Sequence, residues 1–406
     1  AFAEQGNASV DNAGDILADG QYTSAGVFSV SIYGDSLVNS DGGVDVTSAL
    51  GTALGLFSRS VYGTSIVTNG GDIVAVADAG VAYGVLSQGA YAEAGNTGTV
   101  TATGVTRATG LAAYGVYGAS VDNGGTAIAN ASAGRATALY AASYYGDAGI
   151  TNSGTARANA TAGGARAAYA TSYYGNATVD NGGLLAAAST GGEAIGAMAR
   201  AYYGDALVTN SGDITAAGLT ASIGALAIGS NARIDNSGSV QATGSTGSAF
   251  GLYALALYDV DVANGGSVSA TSTNGVAVAL AALSQNGDVA VSNDGSLQAY
   301  TFDGIAAGAY VVGYGSVDVD NAGSISAVAG DGAGLAYGLF AQAYGDVTIT
   351  NSGTISATHD TVAIAVRMGS YAGAARLYNS GLVDAGNLGG GSIAVLGSNA
   401  VDEVHN

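Results

Sequence analysis

His359 and His405 are the only histidines in this 406-residue chain, and it has no cysteine. His359 follows "TISAT" and His405 stands beside the last residue, neither with a second His or an acidic cluster at ligand spacing. Both read as solvated loop residues rather than as metal ligands or general bases. Acidic pairs do occur, at Asp259/Asp261 and Asp318/Asp320, and paired carboxylates are what polysaccharide cleavage needs. The first pair lies at a Tyr-x-Asp turn and the second in an extended run before Asn321, and no long insertion beside either would wall a cleft. Asp147, Asn176 and Asp205 recur at one turn position. They could hold Ca²⁺ through oxygen ligands, but solvated turn residues are the simpler reading, because the Gly-Gly-x-Gly-x-Asp repeat is missing. No P-loop, hydrolase elbow or His-Glu-x-x-His motif stands in a fitting context. The expectation is a protein without catalytic residues and without a cofactor.

Tyrosine is the other candidate. Tyr144–Tyr145, Tyr173–Tyr174 and Tyr202–Tyr203 return at equal spacing. Tyr145, Tyr174 and Tyr203 could form an interaction stripe for a sugar or for a second copy, since exposed tyrosine offers contact area with a polar tip. The plainer reading is a stacking ladder that stabilises the fold.

The elements that would position these residues follow from a repeat. Asn12, Asn39, Asn69, Asn96, Asn123, Asn152, Asn181, Asn210, Asn236, Asn264, Asn293, Asn321, Asn351 and Asn379 fall about 28 residues apart, almost all as Asn-x-Gly. Asn39-Ser40-Asp41-Gly42 carries one extra residue. After each Asn come apolar residues at the fourth and sixth places, as in Ile73/Ala75, Ile214/Ala216 and Ile325/Ala327. That alternation marks a strand with one buried face. A variable Gly/Ser/Thr segment follows, then a more apolar strand such as "FGLYALAL", then a Tyr-Gly-Asp turn and a short third strand ending at the next Asn. Three strands per 28 residues make one coil of a parallel β-helix, three-sided, with about 14 coils; a two-layer flattened solenoid, or coils of half this length, is the alternative. A coil cannot complete its ladders alone, so each must repeat the shape of the next. The Asn and Gly are expected to supply left-handed turn geometry and a stacked amide ladder.

Composition agrees. With 68 glycines, 48% hydrophobic residues and a mean hydropathy of +0.32 the chain should fold, as one continuous solenoid over 1–406. The absence of proline suits a fold in which every N–H has a partner. All nine basic residues are arginine, and the net charge of −21 argues against nucleic acid and anionic membranes as partners.

The stretches "TNSGTISAT" (350–358), "TNSGDITAA" (209–217) and the closing "GSIAVLGSNAVDEVHN" resemble the passenger domains of Gram-negative autotransporters, the type V secretion proteins. The resemblance runs along the whole chain. It implies a right-handed β-helix at the cell surface or outside the cell, a removed signal peptide, and an outer-membrane β-barrel after Asn406. It also implies an adhesin, biofilm or stalk role, with surface glycans, surface proteins or further copies of itself as partners. A self-assembling extracellular filament subunit is the competing expectation. On either view the 406 residues are expected to be a segment of a longer solenoid, or to join others end to end.

Overall fold

The computed structural model describes residues 1–330, 334–386, 391–396 and 402–405. All regular elements among them are β-strands, and the fold is a parallel β-solenoid of about 14 turns of ~28 residues. It divides into two compact units, Ala1–Gly204 and Asp205–Asn406.

A coil of the first unit consists of Thr155–Ala160, Ala165–Ser172 and Ala177–Asn181. Each strand pairs in parallel with its counterpart one coil earlier: Thr155 with Thr126, Ala165 with Ala136 and Ala177 with Ala148. In the first and third strands every second residue points inward, so Ala156, Ala158 and Val179 are fully buried. The second unit repeats this plan. Thr354–Thr358 lies on Ser324–Ala329, and Val347–Asn351 lies on Val317–Asn321.

The second strand departs from simple alternation, because two adjacent residues, Ala167 and Ala168, are both buried. The strand bends there and switches phase. The bend position holds Gly26, Gly55, Gly84, Gly110, Ala138, Ala167 and Gly196 in the first unit, and only Gly or Ala at its counterparts in the second. A Cβ on Gly84 would lie 2.1 Å from Val100 Cγ1 of the next coil. The outer face of this strand is also packed, since Phe57 and Leu86 stand in one column at 8% and 5% exposure. Tyr310 and Phe340 stack 4.8 Å apart in the second unit. This outer layer is why the second strand reads as the most apolar of the three.

Two expectations need correction. Two coils have no separate third strand: Val81–Asn96 and Arg107–Asn123 each run straight through, with a register shift between Gly89 and Tyr91. Both coils lack the Tyr-Gly-Asp sequence, as do coils whose third strand is separate, such as Ala221–Gly229 followed by Ala232–Asn236. The second concerns the Asn-x-Gly turn. Among the described residues only Gly6 and Gly304 have positive φ, so neither this Asn nor this Gly adopts left-handed geometry. The glycine is needed for close approach instead. A Cβ on Gly125 would sit 2.1 Å from the Gly98 carbonyl oxygen, because the turns stack through hydrogen bonds such as Thr126 N to Gly98 O.

Candidate functional site

The repeated asparagines build an internal column. In the first unit Asn69 Nδ2 donates to Asn96 Oδ1 (2.8 Å), Asn96 to Asn123 (2.8 Å), Asn123 to Asn152 (2.7 Å) and Asn152 to Asn181 (2.7 Å). The second unit runs the same relay from Asn210 through Asn236, Asn264, Asn293, Asn321 and Asn351 to Asn379, at 2.7–2.8 Å throughout. Each amide also donates to the carbonyl two residues on, as Asn123 does to Gly125 O, which ties the turn to itself. The column is buried, with Asn123, Asn293, Asn321 and Asn351 at 0% exposure. It is therefore structural and offers a partner nothing.

Asn39 is not in it. The extra residue there moves Ser40 into register with Asn12 and Asn69, and puts Asn39 opposite Asp11 and Thr68. Asn12 Nδ2 donates to Ser40 Oγ at 3.0 Å. Ser40 Oγ in turn donates to Gly42 O at 3.4 Å. Asn69 Oδ1 is left buried without a partner.

The tyrosines form two outward columns at the second turn of the first unit. Tyr91, Tyr117, Tyr145, Tyr174 and Tyr203 follow one another with ring centroids 6.0, 5.9, 5.6 and 5.3 Å apart. Tyr144, Tyr173 and Tyr202 run alongside at 5.2 and 5.4 Å. Edge contacts such as Tyr144 on Tyr145, at 87° and 4.7 Å, lock the two columns together. Tyr145, Tyr174 and Tyr203 are 49–62% exposed. Their faces are spent on each other, so a partner meets ring edges and hydroxyls. Tyr314, Tyr344 and Tyr371 make a shorter column in the second unit.

The turn beneath these rings is held by two polar devices. Ser172 Oγ donates to Gly146 O (2.7 Å) and accepts from Gly175 N (2.9 Å). Asp147 Oδ1 accepts the backbone N–H of Asn176 one coil on at 2.7 Å. Asp205 does the same for Asn231 in the second unit. The carboxylates of the possible Ca²⁺ edge thus accept backbone N–H groups. Among the described residues no three His, Cys, Asp or Glu side chains converge as a metal site.

The Asp259/Asp261 pair is likewise engaged. Asp259 Oδ1 accepts the N–H of Asp288, and Asp261 lies 3.4 Å from Arg233. Asp318 and Asp320 lie on the outer side of Val317–Asn321, where burial and then the neighbouring Asp320 raise the Asp318 pKa. His359 is a correction: it is a buried residue, 1% exposed, not a solvated one. Its Nδ1 accepts from the backbone N–H of Thr361 (2.9 Å) and Val362 (3.0 Å). It caps the first turn as Ser189 does by accepting from Gly192 N. Nδ1 must be unprotonated to accept both, which fixes the neutral tautomer. His405 stacks on Tyr378 at 5.1 Å.

Sequence reasoning missed the serine caps, the small-residue bend, and a cluster of arginines on the outer face of the second strand. Arg107, Arg135 and Arg166 are 28 and 31 residues apart, so only the coil register reveals that they are neighbours. No protein-family model, curated protein or solved structure matches the chain.

Proposed function

We propose that this chain is a non-enzymatic β-solenoid displayed at the surface of a Gram-negative bacterium as an autotransporter passenger, serving adhesion, biofilm cohesion or stalk-like support. The observation that carries this reading is the pair of exposed tyrosine columns. They repeat one outward surface over consecutive coils, while the Asp259/Asp261 pair, the turn aspartates and His359 are engaged within the fold. Equal weak contacts repeated along such a surface sum by avidity. Passage through an outer membrane in an unfolded state is eased in a chain that can form no disulfide. Coils stacking one on the next bury apolar area stepwise and supply a driving force for outward movement.

Adding proteinase to intact cells that express the full-length gene tests the placement. Loss of the protein before lysis is expected, and protection until lysis would sink the reading. Replacing Tyr145, Tyr174 and Tyr203 with Ser should lower cell attachment while circular dichroism shows the coil retained. The purified chain should release no sugar ends from pectin or alginate. Release that Asp318→Asn abolishes would make it an enzyme instead.

A further inference from the structure

Arg107 and Arg135 lie side by side in register on adjacent coils of the first unit, and Arg166 follows in register with Thr137. Thr109 and Thr137, 3% and 6% exposed, stand in the column between Tyr83 and Arg166. Two short side chains between two long ones leave a hollow of about 70 Å³, walled by Arg107, Arg135, Tyr114, Tyr140 and Tyr169. By liquid volume it would take about two waters, enough for one oxyanion and too little for a sugar ring.

The charges in this hollow are unbalanced. Arg166 Nη2 is 3.0 Å from Glu193 Oε1, and its guanidinium lies 4.8 Å from the Tyr169 ring centroid. Its Nε is buried without an acceptor. Arg107 donates to the Tyr83 hydroxyl at 3.2 Å and has no carboxylate partner among the described residues. Among the described residues Arg135 has no hydrogen bond or ion pair, and burial with the charges of Arg166 and Arg107 holds its pKa below the usual guanidinium value. Glu193 is the one carboxylate that acts on Arg135 there. Like charges side by side on neighbouring strands destabilise a sheet, and a screened charge elsewhere on an acidic chain does not offset that. Burial pushes the Tyr114 and Tyr140 phenols above their usual pKa, so both remain O–H donors.

We propose that this hollow binds the carboxylate or sulfate group of an acidic sugar, with Arg107 and Arg135 donating to the anion and the tyrosine rim taking the sugar ring. Guanidinium forks match planar oxyanions in two-point fashion. Aromatic walls with a few fixed donors suit a ring that is apolar on one face and hydroxylated at its edge. A nucleic acid, charged at every step, would meet the acidic surface of the rest of the chain. The proposal rests on the adhesive reading and names its ligand class. Display on cells and sugar binding in solution are separate measurements, so either can fail alone.

Calorimetry with the full chain tests it, using oligogalacturonate, a heparin oligosaccharide, neutral dextran and sodium sulfate. Binding of an acidic oligosaccharide, weakening with salt, is expected, with none to dextran and at most feeble binding of free sulfate. Arg135→Gln should weaken it at least about tenfold, the loss of one charged hydrogen bond, without lowering the melting temperature. Glu193→Gln removes the competing carboxylate and should tighten binding, a gain no misfolded variant would give. Three results overturn the proposal: no binding of either acidic oligosaccharide, affinity unchanged in Arg135→Gln and Arg107→Gln together, or loss of a homo-oligomer in Arg135→Gln. The last would mean that a second copy supplies the anion.

Discussion

The amide relay sets the energetics at the level of single residues. Replacing Asn293 with Ala removes its bond to Asn321 and leaves the Asn264 amide with a missing acceptor. A buried group left unpaired costs about 1–3 kcal/mol, so Asn293→Ala should lower unfolding free energy by that amount in urea melts. An unchanged midpoint would show the relay to be dispensable. The converse substitution lies at the break in the relay. Ser40→Asn places a second amide between Asn12 and Asn69 and gives Asn69 Oδ1 the donor it lacks. A gain of about 1 kcal/mol is expected by the same reasoning. Destabilisation would mean that the inserted residue in that turn leaves no room for the longer side chain.

At the level of the strand, the bend column decides how closely the first and second sides of the solenoid approach. Gly84 faces Val100, Gly251 faces Val268 and Gly308 faces Ile325, each a β-branched residue of the following coil. Where the column carries Ala, at Ala138, Ala167, Ala279 and Ala365, the residue four after the next coil's Asn is Ala156, Leu185, Leu297 and Val383, three of the four without a β-branch. Gly84→Ala should cost about 1–3 kcal/mol by overpacking. Combined with Val100→Ala it should cost less than the two changes added, with a coupling of about 0.5–3 kcal/mol. Strict additivity in thermal melts would show the clash to be with backbone alone. The coil, its three strands and their inward faces were legible in the sequence, because period-two alternation repeats at every Asn. The bend was not, since glycine is common throughout this chain and one more in a strand carries no signal. Asn39 misled because the extra residue in its turn shifts the register by one, so that Ser40 takes the column position. His359 misled because its cap depends on a turn whose geometry no spacing announces.

Taken as a whole molecule, the chain gains stability from nearest neighbours. Within each unit a coil meets the one before and the one after, so coils are interchangeable in principle. Deleting Asn152–Asp180 joins Thr151 to Asn181 and keeps every strand of the first unit in register. This variant should retain its strand signal per residue and a single cooperative transition at a lower midpoint. Deleting only the first half of that segment puts a second strand where a first should lie, and should abolish the transition. If both deletions behave alike, stacking register is not what specifies the fold. The same property explains why the arginine hollow could not be read from the sequence. Its walls come from separate coils, and only their alignment brings three positive charges together.

The stacked turns also bear on the chemical lifetime of the protein. Asparagine followed by glycine ages by attack of the glycine nitrogen on the side-chain amide, which closes a succinimide and releases ammonia. Asn69, Asn123, Asn181 and Asn264 are all followed by glycine. In the fold each of those glycine nitrogens is turned to a carbonyl one coil earlier: Gly70 to Ser40, Gly124 to Asn96, Gly182 to Asn152 and Gly265 to Asn236, at 2.7–2.8 Å. The amides they would attack are held in the buried relay. Asn274 and Asn286 precede glycine too, but lie exposed in turns. Peptide mapping of protein stored for weeks at mild alkaline pH should find aspartate and isoaspartate first at Asn274 and Asn286, with the four relay positions intact until the coils are unfolded. Deamidation at equal rates in all six would mean that the relay opens far more often than its burial implies. Four of the six Asn-Gly pairs are thus carried where they cannot spoil.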